Sequence, residues 1–219
     1  MARQARIEYP GHVISRGIER RALFRDDTDR AKYLSLGARA AERFGFRLFA
    51  WCLMDNHVHL ALETGRVPLS RIMRSINTAY AGYFNLRHGR AGYLFQGRYK
   101  AILCDRDAYL LELVRYIHLN PARLKVPDNP WRYRWSSHGA YLGKPSAVKV
   151  DTEAVLGQFG STLGAARRGY QGFIEDGFKQ GHNEKYYETI DQRFLGEERF
   201  LSKVAERSEA REVEIREIK

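Results

Sequence analysis

Along this chain the spacing of apolar positions switches repeatedly between two periods, and the switches mark the elements. Gly11-His12-Val13-Ile14-Ser15-Arg16 reads as a short strand ending at Gly17, followed by a loop dense in arginine with Arg16, Arg20, Arg21 and Arg25. Asp27-Thr28-Asp29 then offers carboxylate and hydroxyl acceptors to the first amides of a helix. From there to Phe44, apolar residues recur at helical spacing (Tyr33, Leu34, Leu36, Ala40, Ala41, Phe44), and Gly45 supplies the stop. Phe46–Met54 and His57–Leu62 are apolar runs of strand length, joined by Asp55-Asn56, a pair suited to a tight hairpin turn. Pro68 opens a second helical stretch with Leu69, Ile72, Met73, Ile76, Ala79, Tyr80, Tyr83 and Phe84 on one face and Arg71 and Arg74 on the other. After a glycine-spaced loop, His88–Gly97, the run Arg98–Cys104 gives a fourth strand. Asp105 or Asp107 can cap a third helix, expected to run to about Leu119 and to stop at Pro121.

The resulting order, β-α-β-β-α-β followed by a helix, predicts an α+β fold. It is a ferredoxin-like antiparallel sheet with helices on one face. Residues 1–145 form this domain, and residues 146–219 read as a mostly helical, mixed-charge extension ending in a solvated tail from Ser208 to Lys219. Between them, Trp131, Tyr133 and Trp135 are expected to pack against the sheet rather than to stack on bases.

Charge divides the chain in the same place. Residues 1–145 carry 25 Lys+Arg against 12 Asp+Glu, a balance of +13, whereas residues 146–219 carry 12 against 14. Only four of the first 25 are lysine, and arginine suits bidentate phosphate contacts better than solvation alone. The asymmetry points to a polyanion partner on the first two-thirds of the chain. Two cysteines far apart, Cys52 and Cys104, form neither a disulfide framework nor a zinc motif. The sequence has no stretch of signal-peptide character at its start and no window apolar enough for a membrane span, so a cytoplasmic protein with no membrane partner is expected.

His57-Val58-His59 is the sharpest local chemical signal. On a strand, alternate side chains share a face about 7 Å apart, so the two imidazoles flanking Val58 can meet one metal ion. In Arg115-Tyr116-Ile117-His118-Leu119-Asn120-Pro121, Tyr116 and Asn120 are four apart on the expected helix and stack about 6 Å apart. A tyrosine hydroxyl is a poor nucleophile near neutral pH. A neighbouring metal that polarises a phosphate lowers the barrier to its attack, and Asn120 offers a neutral oxygen ligand. Spacing by itself leaves the bland alternative open, in which Tyr116 is one of 13 tyrosines packing its helix and Asn120 a cap.

Three motifs in order change that balance. Met54-Asp55-Asn56-His57-Val58-His59-Leu60, Phe95-Gln96-Gly97-Arg98-Tyr99-Lys100 and Arg115–Pro121 resemble the HUH single-tyrosine transposases of the IS200 type, most closely the REP-associated tyrosine transposases. The opening stretch HVISRGIERRALF is similar as well, and the resemblance spans roughly residues 9–142. It implies a catalytic domain over residues 1–145 in which Tyr116 attacks a DNA phosphodiester. The products are a 5′-phosphotyrosine link and a free 3′-hydroxyl, with His57, His59 and Asn120 as ligands of a divalent metal, Mg²⁺ or Mn²⁺. Two imidazoles and an amide suit Mn²⁺ better than Mg²⁺. Many relatives have Gln at the Asn120 position, one methylene longer. The partner implied is single-stranded or hairpin DNA, with Arg16, Arg20, Arg21, Arg98 and Lys100 as contacts that position it. The resemblance leaves monomer and homodimer both open. Two other readings compete: a non-catalytic or domesticated hairpin-binding protein, and a metal-dependent phosphodiesterase in which water replaces Tyr116.

Overall fold

The computed structural model of the protein describes residues 11–104, 106–123, 133–180 and 194–195. The elements follow the expected order: β1 (Gly11–Arg16), α1 (Asp27–Phe44), β2 (Arg47–Met54), β3 (His57–Glu63), α2 (Leu69–Arg87), β4 (Lys100–Cys104) and α3 (Arg106–Arg123). Two single-turn helices, α4 (His138–Tyr141) and α5 (Glu153–Leu156), lead to α6 (Leu163–Gln180) and a two-residue strand, β5 (Phe194–Leu195). The sheet order is β2-β3-β1-β4-β5. The first four strands are antiparallel, with β1 between β3 and β4, and β5 adds to β4 in parallel. This is the ferredoxin-like α+β arrangement.

Period-two alternation on the strands separates two cores. On β3, Val58, Leu60 and Leu62 join α1 and α2 in one core, while Ala61 joins the other, which holds α3 and α6. On β2 the pairing register shifts between Leu48 and Ala50, and Phe49 and Ala50 both enter the second core. The two helices of the β-α-β-β-α-β unit thus share one face, as expected. The opposite face is covered too, by α3 and the helices after it.

Two details differ from the sequence-based expectation, the start of α1 and the end of α3, while Gly45 behaves as expected. The α1 cap is Asp26, one residue early, its carboxylate accepting from the Asp29 amide at 3.0 Å and gripped by Arg87 of α2. Gly45 ends the helix in a left-handed conformation, φ 64°, as a C-terminal glycine does. α3 does not stop before Pro121 but runs through it to Arg123. Proline's fixed φ is helical and its missing amide removes a single bond, so near a helix end, with Ile117, Leu119 and Pro121 buried, packing outweighs that loss. The suggested caps Asp105 and Asp107 lie outside the described residues and side chains.

α6 leans on α3. Arg115 lies 4.2 Å over the Phe173 ring, and a Cβ on Gly177 would come within 2.5 Å of Arg115 Cδ, so a larger residue there would have to push the Arg115 side chain aside. Tyr133 donates from its hydroxyl to the Leu53 carbonyl at 2.7 Å, and Trp135 Nε1 donates to Asp27 at 3.0 Å. Both therefore pack onto the sheet domain, while Trp131 and the tail Ser208–Lys219 fall outside the described residues. Among those residues, no helix is long and apolar enough to cross a membrane.

Candidate active site

β3 turns His57 and His59 toward α3, and the two rings stand edge to face with centroids 4.8 Å apart. The i, i+4 spacing on α3 brings Tyr116 and Asn120 to meet them while Val114 and Ile117 anchor the helix in the core. The Tyr116 ring is edge-on to His59 at 5.7 Å, and the Asn120 side chain hydrogen-bonds His57. Asn120 is buried and Tyr116 half-buried. All four candidate residues therefore meet at one place on the sheet. Burial lowers the His57 pKa, with Arg16 adding to the effect and Asn120 and Asp55 opposing it. The described residues contain no group of three or more His, Cys, Asp or Glu side chains placed to hold a metal ion. Any ion bound here would thus lean on two imidazoles and the Asn120 amide, all neutral donors.

A third histidine belongs to the cluster and was not anticipated. His12 sits on β1, one strand over, where the ladder sets Ile14 opposite His59 and His12 opposite Ala61. Its Nε2 is 2.8 Å from His59 Nδ1, its ring stacks on His59 at 5.0 Å, and it meets Tyr116 edge-on at 5.4 Å. Burial first, then the charge of Lys100 and then of His57, pushes the His12 pKa down to about 3, so its ring is neutral near pH 7. A neutral Nε2 can accept from His59 Nδ1–H, which leaves the lone pair of His59 on Nε2. The sequence places His12 on the strand, but only the β1–β3 register brings it beside His59.

The arginine loop is a strained turn against the same site. Gly17 is followed by a 3-10 turn, Ile18–Arg20, in which Glu19 and Arg20 adopt φ of 52° and 59°, a region that side chains rarely occupy. A Cβ on Gly17 would lie 2.1 Å from the Arg21 carbonyl oxygen, so no other residue fits there. The hairpin turn between β2 and β3 holds this loop: the Gly17 amide donates to the Asn56 carbonyl at 2.9 Å, and the Leu23 amide to that of Asp55 at 2.7 Å. On its other side, Gln96 and Ile18 amides pair with the Arg16 and Leu94 carbonyls.

Arg16, Arg20, Arg21, Arg98 and Lys100 are all exposed. Arg16 pairs across the ladder with His57, and Lys100 lies across β1 at Ile14, so these two flank the histidines. Arg21 is ion-paired to Glu19 at 2.7 Å, whereas Arg16, Arg20, Arg98 and Lys100 make no ion pair among the described residues. The rim of the cluster is cationic, and among the described residues the exposed carboxylates beside it are Glu19 and Asp55.

The sequence model of the family described as "Transposase IS200 like" matches residues 6–120, more than half of the chain. The chain belongs to this family. The matched stretch runs from just before β1 to Asn120 and so includes all of the candidate residues above. No curated protein matches the sequence of this transposase. Five chains of solved structures match its fold. One of them is a REP-associated tyrosine transposase bound to a REP hairpin, with a TM-score of 0.53 and 14% identity over 69% of this chain and 92% of that one. At this identity the likeness establishes a shared fold. It agrees with the strand order described above.

Proposed function

We propose that this transposase is a metal-dependent single-strand DNA endonuclease and strand transferase of the REP-associated branch, acting on hairpin DNA. The observation that carries the reading is the convergence of Tyr116, His57, His59 and Asn120 beneath an exposed cationic rim. Residues 1–145 form the catalytic unit and 146–219 an extension of it. Arg16, Arg20, Arg98 and Lys100, with Arg21 once it leaves Glu19, receive the phosphates and orient the strand. The Tyr116 oxygen attacks the phosphorus and loses its proton. A bond forms from that oxygen to the 5′-phosphate, the P–O3′ bond breaks, and the departing 3′-oxygen takes up a proton. The new phosphotyrosine bond conserves the energy of the old diester, so attack by a 3′-hydroxyl reverses the step without ATP.

His57, His59 and Asn120 would hold a divalent ion, Mn²⁺ or Mg²⁺, which when bound polarises the scissile phosphate. The residues fit such an ion as a neutral set with room for phosphate oxygens. With no carboxylate ligand and with Arg16 and Lys100 close by, the protein by itself attracts the ion weakly. The phosphate supplies the missing negative charge, and DNA and metal each strengthen the binding of the other.

The test uses 5′- and 3′-labelled hairpin oligonucleotides drawn from repeats of the source genome, with Mn²⁺ or Mg²⁺, resolved on a denaturing gel. A slow-migrating adduct that carries the label from the 3′ side of the cut is expected. It should vanish in Tyr116→Phe and with chelator, while Tyr116→Phe still binds the hairpin. Cleavage that survives in Tyr116→Phe would establish water as the nucleophile instead. Tight binding without adduct in either metal would leave a hairpin-binding protein.

A further inference from the structure

The hairpin turn that precedes the first histidine does more than reverse the chain. Asn56 is half-buried and spends both ends of its amide: Nδ2 donates to the Arg20 carbonyl at 3.1 Å, and Oδ1 lies 2.7 Å from His57 Nδ1. The orientation of that amide follows from its partners. A carbonyl oxygen only accepts, so the NH₂ group faces Arg20 and Oδ1 faces His57. Oδ1 only accepts, so Nδ1 of His57 carries the hydrogen. The lone pair of the ring is therefore on Nε2, while Asn120 hydrogen-bonds the same imidazole. At its other end the amide holds a carbonyl in the middle of the strained turn, between Glu19 and Arg21, beside the backbone clasp from Gly17 to the Asn56 carbonyl.

We propose that Asn56 is a positioning residue that sets the tautomer and ring orientation of His57 for metal binding and ties that ring to the arginine turn at residues 17–21. The inference rests on the metal-ligand role of His57 proposed above, and it adds the group that prepares the ligand. A histidine ligand whose other nitrogen donates to a fixed acceptor is held in tautomer and direction, and loss of such a partner weakens metal affinity by about 10–100-fold. The same amide stabilises the left-handed backbone at Arg20, which presents its guanidinium, otherwise unpaired among the described residues, at the rim. A phosphate that pulls on the turn therefore pulls on the amide that aims His57.

Two substitutions separate the two ends of the amide. Asn56→Ala removes both contacts, while Asn56→Asp keeps an acceptor for His57 Nδ1–H and loses the donor to Arg20. In metal-free, ¹⁵N-histidine-labelled protein, long-range ¹H–¹⁵N spectra report the tautomer of each imidazole, with His57 assigned by His57→Gln. The parent and Asn56→Asp should show His57 protonated on Nδ1, and Asn56→Ala should shift it toward Nε2–H. Manganese titrations followed by electron paramagnetic resonance, on Tyr116→Phe bound to a hairpin oligonucleotide, should show affinity falling about 10–100-fold in Asn56→Ala and recovering in Asn56→Asp. Hairpin affinity of Asn56→Ala in chelator should fall as well, because the turn has lost its tether. An unfolded Asn56→Ala would be evident in its melting curve, and the Asn56→Asp and parent spectra would still decide the tautomer. His57 protonated on Nε2 in the parent, or an unchanged manganese affinity in a folded Asn56→Ala, overturns the proposal. A parent that binds no manganese with DNA overturns the metal reading and this inference with it, whereas the tautomer spectra test the Asn56 contact alone.

Discussion

Two histidine clusters flank the tyrosine-bearing helix α3, built from the same residue types and organised for different ends. One joins His12, His57 and His59 to Tyr116 and Asn120 under the cationic rim. The other lies deeper, where His118, two residues from Tyr116, meets Tyr170, His138 and Ser137. There a single arrangement of hydrogens satisfies every contact. Ser137 Oγ donates to the Trp51 carbonyl and accepts from His118 Nε2–H. His118 Nδ1 then accepts from the Tyr170 hydroxyl, which in turn accepts from His138 Nδ1–H. Both nitrogens of His118 are consumed by the protein itself, which is what a structural histidine needs. In the other cluster, Asn56 and Asn120 hydrogen-bond His57, and His12 meets Nδ1 of His59, with the Tyr116 ring edge-on to both His12 and His59. Burial does not distinguish the two clusters, since both are buried; what distinguishes them is their partners, structural groups in one and the proposed nucleophile and ligand amide in the other.

The largest expected effect breaks the first cluster chemically. Replacing His57 by glutamine removes a group whose proposed ion contributes several kcal/mol of charge stabilisation, so adduct formation should fall by about 10²-fold or more on the labelled hairpin. Hairpin affinity in chelator should hardly change. Equal adduct yields from His57→Gln and the parent would place the metal site elsewhere.

The second cluster should respond in stability instead. Tyr170→Phe leaves two buried imidazole nitrogens without their shared hydroxyl, a loss of about 1–3 kcal/mol for an unsatisfied buried group. For a chain of this size each kcal/mol lowers the melting temperature by about 2–4 °C. Calorimetry should show that drop, larger than for His57→Gln, with adduct formation at room temperature retained. If Tyr170→Phe keeps its melting temperature but loses the adduct, the contrast between the clusters is wrong.

The contrast also explains what could be read from the chain. The strand and helix order, the His57–His59 pair and the Tyr116–Asn120 spacing follow from local periods of two and about four residues. A local rule alone cannot weigh the passage of α3 through Pro121, because burial of Ile117 and Leu119 outweighs the proline's cost. His12 is one of seven histidines until the β1–β3 register sets it beside His59, and His118 has no visible purpose until α6 brings Tyr170 to it. Asn56 reads as a turn former, which it is. Its grip on His57 and Arg20 depends on where a loop some 36 residues earlier comes to rest. Interactions made within a strand or helix are legible in order, and those between elements wait for topology.

The smallest expected effect sharpens the comparison through pH. Burial lowers the pKa of His118 well below the ordinary 6.5 and that of His138 to about 4, with His138 and Lys144 respectively adding to the effect. A histidine that resists protonation in the folded state takes up a proton more readily once unfolded. The stability this provides is fully present above pH 6.5 and is lost as pH falls toward 4, because there the unfolded chain binds more protons. His12, lowered to about 3, extends the same loss further into acid. Denaturant unfolding at stepped pH should therefore show stability declining below 6.5. His138→Gln removes one of the protons involved, and the slope should flatten by up to about 1.4 kcal/mol per pH unit between 6.5 and 4. A slope identical to that of the parent would mean that His138 protonates in the folded protein as readily as in the unfolded chain. The deeper cluster would then be open to water, and its contrast with the first as a closed, structural set of histidines would fall.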